Sequence, residues 1–192
     1  MRIEICGGIA SGRSSLAQKI NLDNYKAVFE DFTNHPFLVK FYEDVNYYAL
    51  ETELMFLLQH FHQIKKERGK NIICDYSFLL DLAFADVTLN YKDLIVFENL
   101  RNEILQRVRS SNLIVHLKCS PETMLTRIYK RGREMEKNIT LDYLRKLNKA
   151  IENRIIKENE TKIIEIDAEK YNFVENMKDR KYIQDMIIKA TI

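Results

Sequence analysis

At 192 residues the chain is long enough to bury one sizeable core, and its length favours a single domain over residues 1–192. Hydrophobic residues make up 46% and charged residues 30%, the balance of a soluble globular protein. Lys and Arg total 30 against 28 Asp and Glu, leaving a net charge of +2. That near-balance argues against a surface built for a nucleic-acid polymer, which needs a clustered basic excess. Lysines crowd residues 63–70 and 146–162, but acids are interspersed, so these segments read as solvated helix faces. No apolar run approaches the roughly 18 residues of a membrane helix. A strand directly after Met1 leaves no room for a leader, so the expected place is cytoplasmic, away from membranes. Cys6, Cys74 and Cys119 lack C-x-x-C spacing and read as buried small hydrophobes in a reducing compartment.

In chain order, the first predicted element is a strand over Arg2–Cys6. Gly7-Gly8-Ile9-Ala10-Ser11-Gly12-Arg13-Ser14 follows it and opens a helical segment over 15–20. This is the glycine-rich phosphate-loop pattern in its strand–loop–helix context. Backbone N–H groups from Gly7 to Ser15 would wrap a phosphate, and the helix N-terminus adds partial positive charge. The Ser14 hydroxyl would sit on the Mg²⁺ that bridges the phosphates. Arg13 stands where the pattern carries lysine, a planar fork in place of a compact point charge. The rival reading is a glycine turn before an ordinary helix.

Further strands are predicted at 27–30, 71–75, 112–118 and 162–167, alternating with longer segments of helical period. That alternation predicts an α/β protein with a parallel sheet of about five strands. Residues 46–68 carry Leu50, Leu54, Leu57, Leu58, Phe61 and Ile64 on one stripe, an amphipathic helix. Ser120-Pro121 starts another helix, and 140–159 and 173–190 complete the set.

Glycine is scarce, five in all, so its placement is informative. Three lie in the loop, and Gly132 sits between Arg131 and Arg133. Arg127 and Arg131 are four apart and share a helix face, while Gly132 lets the chain turn and present Arg133. Three guanidinium groups converging over 127–139 suit the charge that spreads over phosphate oxygens during transfer. A solvated helix end is the plainer alternative.

The lid from Arg127 to Leu147 closely resembles the pattern R-I-x-x-R-G-R-x-x-E-x-x-I-x-x-x-Y-L-x-x-L of the deoxynucleoside kinase family. The resemblance runs from the phosphate loop to Ile166-Asp167 and Phe173-Val174. It implies a P-loop nucleoside-kinase fold whose sheet is flanked by helices and covered by the arginine-rich lid. It also implies nucleotide salvage by transfer of the ATP γ-phosphoryl group, with Mg²⁺, to the 5′-hydroxyl of a deoxyribonucleoside, purine preferred. A homodimer is implied as well. In Val28-Phe29-Glu30-Asp31, Glu30 takes the role of general base at the end of a strand. Tyr42 and Glu136 would share the sugar 3′-hydroxyl, Glu53 would meet the base edge, and Asp81 would read its amino group. Arg13, Arg131 and Arg133 would stabilise charge, with Arg127 and Arg131 on the nucleotide and Asp75 beside Ser14 as a second metal contact.

Two cationic positions depart from the family pattern, Arg13 in type and Tyr76 in charge. The third strand of the family ends in acidic-Arg-Ser, and here it reads Asp75-Tyr76-Ser77. His60 falls where the long helix often carries Arg; His35, His62 and His116 have no ligand-spaced neighbours and are given no role. The alternative to a working kinase is therefore a nucleotide-binding pseudokinase with catalysis impaired by Arg13. A nucleoside monophosphate kinase would need basic residues for an acceptor phosphate, where this chain offers Tyr42, Glu53 and Glu136.

Overall fold

All five strands run in one direction. The computed structural model describes residues 1–191, and its strands are β1 (Arg2–Cys6), β2 (Tyr25–Val28), β3 (Asn71–Cys74), β4 (Leu113–Lys118) and β5 (Ile163–Asp167). They pair in the order β2-β3-β1-β4-β5, every pair parallel. Parallel neighbours require crossover connections, which cover both faces with helices and make the strands apolar throughout. The runs Ile72-Ile73-Cys74 and Leu113-Ile114-Val115 are of this kind, and every residue of β1 is buried.

The helices are α1 (Arg13–Lys19), α2 (Leu38–Glu43), α3 (Val45–Lys66), α4 (Phe78–Thr88), α5 (Tyr91–Val108), α6 (Pro121–Arg131), α7 (Leu141–Lys157) and α8 (Met177–Thr191). One core cluster joins β1 and β4 to Leu16, Met124, Leu144, Leu147, Ile183 and Ile187. A second packs β3 against Leu57, Phe78, Phe97 and Ile104 from α3, α4 and α5. Side-chain caps set several starts: Ser77 accepts from Leu80 N at 3.0 Å, Ser120 from Thr123 N and Thr140 from Tyr143 N, both at 3.2 Å.

The predicted parallel α/β sheet is present, with local corrections. The second strand covers Tyr25–Val28, so Glu30 lies in the loop beyond it rather than at a strand end. The last helix begins at Met177, not at 173, and residues 168–176 are loop and turn. Leu58 belongs to the expected apolar stripe of α3 but is exposed, while Thr52, Glu53 and His60 face inward. Helices α4 and α5 were not anticipated. Residues 78–83 of α4 are all buried, so it carries no polar face to set a period. Ile192, the end of the expected domain, lies outside the described residues.

Inside the sheet, Arg2 and Glu4 form a buried ion pair at 2.7 Å. Arg2 also donates to Val108 O at 3.1 Å and Arg109 O at 2.6 Å, tying β1 to the end of α5. Glu4 accepts from Phe78 N at 3.3 Å. Removing one member strands the other charge in the core. Arg2→Met should cost about 3–5 kcal/mol of stability, read from urea unfolding. A loss below about 1 kcal/mol would mean that Glu4 finds water.

Candidate active site

The loop between β1 and α1 is shaped by two steric demands. Gly12 sits at φ 111°, in the left-handed region that side chains rarely adopt. A Cβ at Gly8 would lie 2.5 Å from Met124 Sδ, so α6 packs directly on the loop backbone. Gly12 caps α1 with no side-chain acceptor, leaving the first N–H groups of the helix facing the cleft. The loop is held from behind by Arg127, whose Nη1 donates to Ser11 O at 3.0 Å and Nη2 to Ala168 O at 2.8 Å. Arg127 thus braces the loop and the segment after β5 through their carbonyls.

Two acids leave the carboxyl ends of β2 and β3 beside this loop. Asp75 Oδ1 accepts from Glu30 N at 2.8 Å, which locks the two loops together. Arg13 turns toward the same edge, with Nη1 donating to Asp75 O at 2.9 Å and Nη2 3.9 Å from Glu30 Oε2. Burial pushes the Asp75 carboxyl up; Arg13 and the Ser14 hydroxyl oppose this without cancelling it. For Glu30, burial is again the largest influence and acts upward, but His60 and Arg13 together outweigh it and hold the carboxyl low. His60 Nε2 meets Glu30 Oε1 at 3.1 Å, and Nδ1 meets Asp81 Oδ2 at 2.9 Å. Its ring lies flat on Tyr76, centroids 3.8 Å apart and planes within 3°. Tyr76 carries no charge, yet the imidazole stacked upon it meets both acids.

Arg13, Ser14, Glu30 and Asp81 line one cleft of about 760 Å³ that runs from the loop to the interior of α3 and α4, with Asp75, His60 and Tyr76 behind its wall. Its inner end holds Tyr42, Thr52, Glu53, Phe56, Asp81 and Phe84. Glu53 accepts from Thr88 Oγ1 at 2.9 Å, and burial pushes its carboxyl up to about 8. The hydroxyls of Ser11 and Thr52, both in the cleft wall, are buried without a partner among the described residues. Across the mouth, Arg131 grips Glu136 Oε2 through Nε at 3.1 Å and Nη2 at 2.5 Å. Arg133 reaches Glu136 Oε1 at 3.3 Å and lies over the Phe32 ring. The lid is therefore latched on the buried Glu136, with Gly132 at φ 67° making the turn between the arginines.

The deoxynucleoside kinase family model matches residues 3–192. The chain belongs to the deoxynucleoside kinase family. It is 29% identical over 191 residues to the deoxyguanosine kinase of Bacillus subtilis (strain 168), covering 92% of this chain and 91% of that one. The deoxyguanosine kinase of Lactobacillus acidophilus (strain ATCC 700396 / NCK56 / N2 / NCFM) is 32% identical over 204 residues, 97% of this chain and 89% of its own. In structure the chain is similar to deoxyadenosine kinase from M. mycoides with bound dCTP, at a TM-score of 0.83 and 25% identity. That match covers 98% of this chain and all of the other.

In this family member the structure brings Arg13, Ser14, Glu30, Tyr42, Glu53, Asp81, Arg127, Arg131, Arg133 and Glu136 to one cleft, with Asp75 directly behind Glu30. Sequence reasoning gave no site role to the segment after β5, where Tyr171, Phe173 and Val174 wall the loop side of the cleft. A hint lay in Asp167, whose Oδ1 caps the turn by accepting from Glu169 N at 2.9 Å and Lys170 N at 3.0 Å. His35 bonds Thr52 O and Phe37 N, His116 faces Glu165, and His62 is exposed; none lines the cleft. Gly12→Ala would strain a left-handed position and bring a Cβ to 3.0 Å from Phe173 Cζ. It should cost about 1–2 kcal/mol of stability and abolish the thermal shift given by ATP. A variant that keeps both would mean that the loop relaxes freely.

Proposed function

We propose that the protein transfers the γ-phosphoryl group of ATP to the 5′-hydroxyl of a deoxyribonucleoside, with purines preferred. The observation that carries this reading is Glu30, a half-buried carboxylate held low in pKa beside a glycine loop and Arg13, at the junction of the two halves of the cleft. A loop of N–H donors suits the donor phosphates, and an acidic inner end suits an uncharged acceptor better than a phosphorylated one. Glu30 accepts the 5′-hydroxyl proton as the oxygen attacks phosphorus. Tyr42 and Glu136, both in the cleft wall, would share the sugar 3′-hydroxyl, and Arg131 and Arg133, now paired with Glu136, would supply positive charge to the transferring group.

Mg²⁺ suits the residues present. Ser14 and Asp75 offer hard oxygens side by side, and no group of three or more metal-ligating side chains occurs among the described residues. An ion held by one or two protein oxygens and the substrate's phosphates needs no such cage. When bound, it would neutralise phosphate charge.

Glu53 supports contact with a nucleobase edge in a form that the sequence could not foresee. With its carboxyl pushed up to about 8, it is mainly the acid at neutral pH. One oxygen already accepts from Thr88, so the group offers both an O–H donor and an acceptor to a base edge. Guanine, adenine, cytosine and thymine alike present an adjacent donor and acceptor, so the purine preference rests on the similarity to deoxyguanosine and deoxyadenosine kinases. For assembly, exposed Tyr47 and Leu58 on α3 and Tyr91 and Ile95 on α5 support self-association, as the resemblance implies. Three unpaired, buried cysteines support a reducing, cytoplasmic setting.

A second reading rests on Arg13. Its Nη1 is committed to Asp75 O, which favours a protein that binds nucleotide but transfers its phosphoryl group poorly. Lysine's compact ammonium follows the γ-phosphoryl more closely. Arg13→Lys should raise kcat about 10-fold, about 1.4 kcal/mol of barrier, with a smaller change in ATP affinity. No gain in a protein that already turns over would mean that the loop has adapted to arginine.

Glu30→Gln should lower kcat by about 10²- to 10⁴-fold with little change in ATP binding. Steady-state kinetics with deoxyguanosine and deoxyadenosine would check this, and an unchanged kcat would remove Glu30 as base.

A further inference from the structure

His60 is a histidine on the buried side of a long helix, with no exposure to solvent and an acid at each ring nitrogen. A neutral imidazole has one donor and one acceptor, so it would turn a lone pair toward either Glu30 or Asp81. Only the doubly protonated ring donates to both. The flat stack on Tyr76 places the aromatic face of an uncharged phenol against that positive ring. We propose that His60 is a positioning residue for phosphoryl transfer: as a buried imidazolium it pins Glu30 and Asp81 at once, and its charge sets the alkaline limit of turnover. This rests on the kinase reading above for its link to catalysis, though not for the charge of the ring.

The charges around His60 agree. Glu30 comes from the loop after β2, Asp81 from α4 and Glu53 from the same helix, α3, all acidic. Arg13 of α1 stands beyond Glu30, and Arg101 of α5 faces Asp81 by charge, as does Glu4 of β1. His35 faces Glu30, while the rings of Phe56 and Tyr76 complete the walls. Burial disfavours the charged ring, but Asp81 and Glu30 overcome it and carry the pKa up to about 10. Below that value the ring is charged and both acids are held; above it, one hydrogen bond is lost and Glu30 or Asp81 is left facing a lone pair. A displacement of about 1 Å in a reacting group can cost about 100-fold in rate.

Two measurements test this. In wild-type protein labelled with ¹⁵N-histidine, both ring nitrogens of His60 should keep protonated shifts from pH 7 to about 9. A neutral tautomer at pH 7.5 would overturn the proposal. With deoxyadenosine, whose base does not titrate in this range, kcat should be level near neutrality and fall as pH approaches about 10. His60→Gln should lower kcat about 100-fold, with a smaller effect on KM for ATP, and lose that alkaline fall. His60→Arg, with permanent charge, should restore part of the rate and move the fall to higher pH. Equal kcat and equal pH profiles in wild type and His60→Gln would also overturn it. If wild type phosphorylates no deoxynucleoside, the proposed function fails, and the ¹⁵N shifts alone decide whether His60 is the buried cation.

Discussion

Three titratable side chains share one hydrogen-bonded line from the cleft wall into the protein: Glu30, His60 and Asp81. Each would be costly to bury alone, and the arrangement survives because every charge faces an opposite one with hydrogen-bond geometry. That requirement reaches far into the fold. It fixes α3 against α4, holds the loop after β2 over the end of β3 through the Glu30–Asp75 bond, and brings Arg13 of the phosphate loop to the same edge. The acceptor half and the donor half of the cleft meet at this line.

A second consequence concerns the two positions where the chain departs from its family pattern. Read singly, Arg13 is a broader cation in a tight loop and Tyr76 is a lost charge. In three dimensions they belong to one redistribution of charge. Tyr76 provides a flat surface for His60, and His60 supplies positive charge to the acids. Arg13, with a longer reach than lysine, bridges from the loop to Asp75 O and toward Glu30. The latch of Arg131 and Arg133 on Glu136 applies the same rule at the cleft mouth, where a buried acid is matched by two guanidinium groups.

What could be read in the sequence follows from the range of each interaction. The phosphate loop, the lid turn and the cap at Ser120 are local, set by residues within a few positions of one another. The number of strands and their parallel pairing followed from the alternation of short apolar and long periodic segments, whereas their order did not. Glu53 and His60 were harder, because apolar periodicity marks a polar residue as outward-facing. Both turn inward only because Thr88 and Asp81, from a different helix, satisfy them. Helix α4 hid for a related reason: it is covered on all sides and so lacks a polar stripe. The loop after β5 has no periodic signal at all, and its place at the cleft is a product of packing on Gly12.

The central claim is chemical: a nucleoside hydroxyl beside Glu30 receives the phosphoryl group held by the loop. ³¹P NMR of the wild-type protein with ATP, Mg²⁺ and a mixture of deoxynucleosides tests it most directly. The account predicts a new 5′-monophosphate resonance, first on deoxyguanosine or deoxyadenosine, growing as ATP becomes ADP. ATP that binds yet stays intact with every deoxynucleoside, or that phosphorylates only a nucleoside monophosphate, would contradict it.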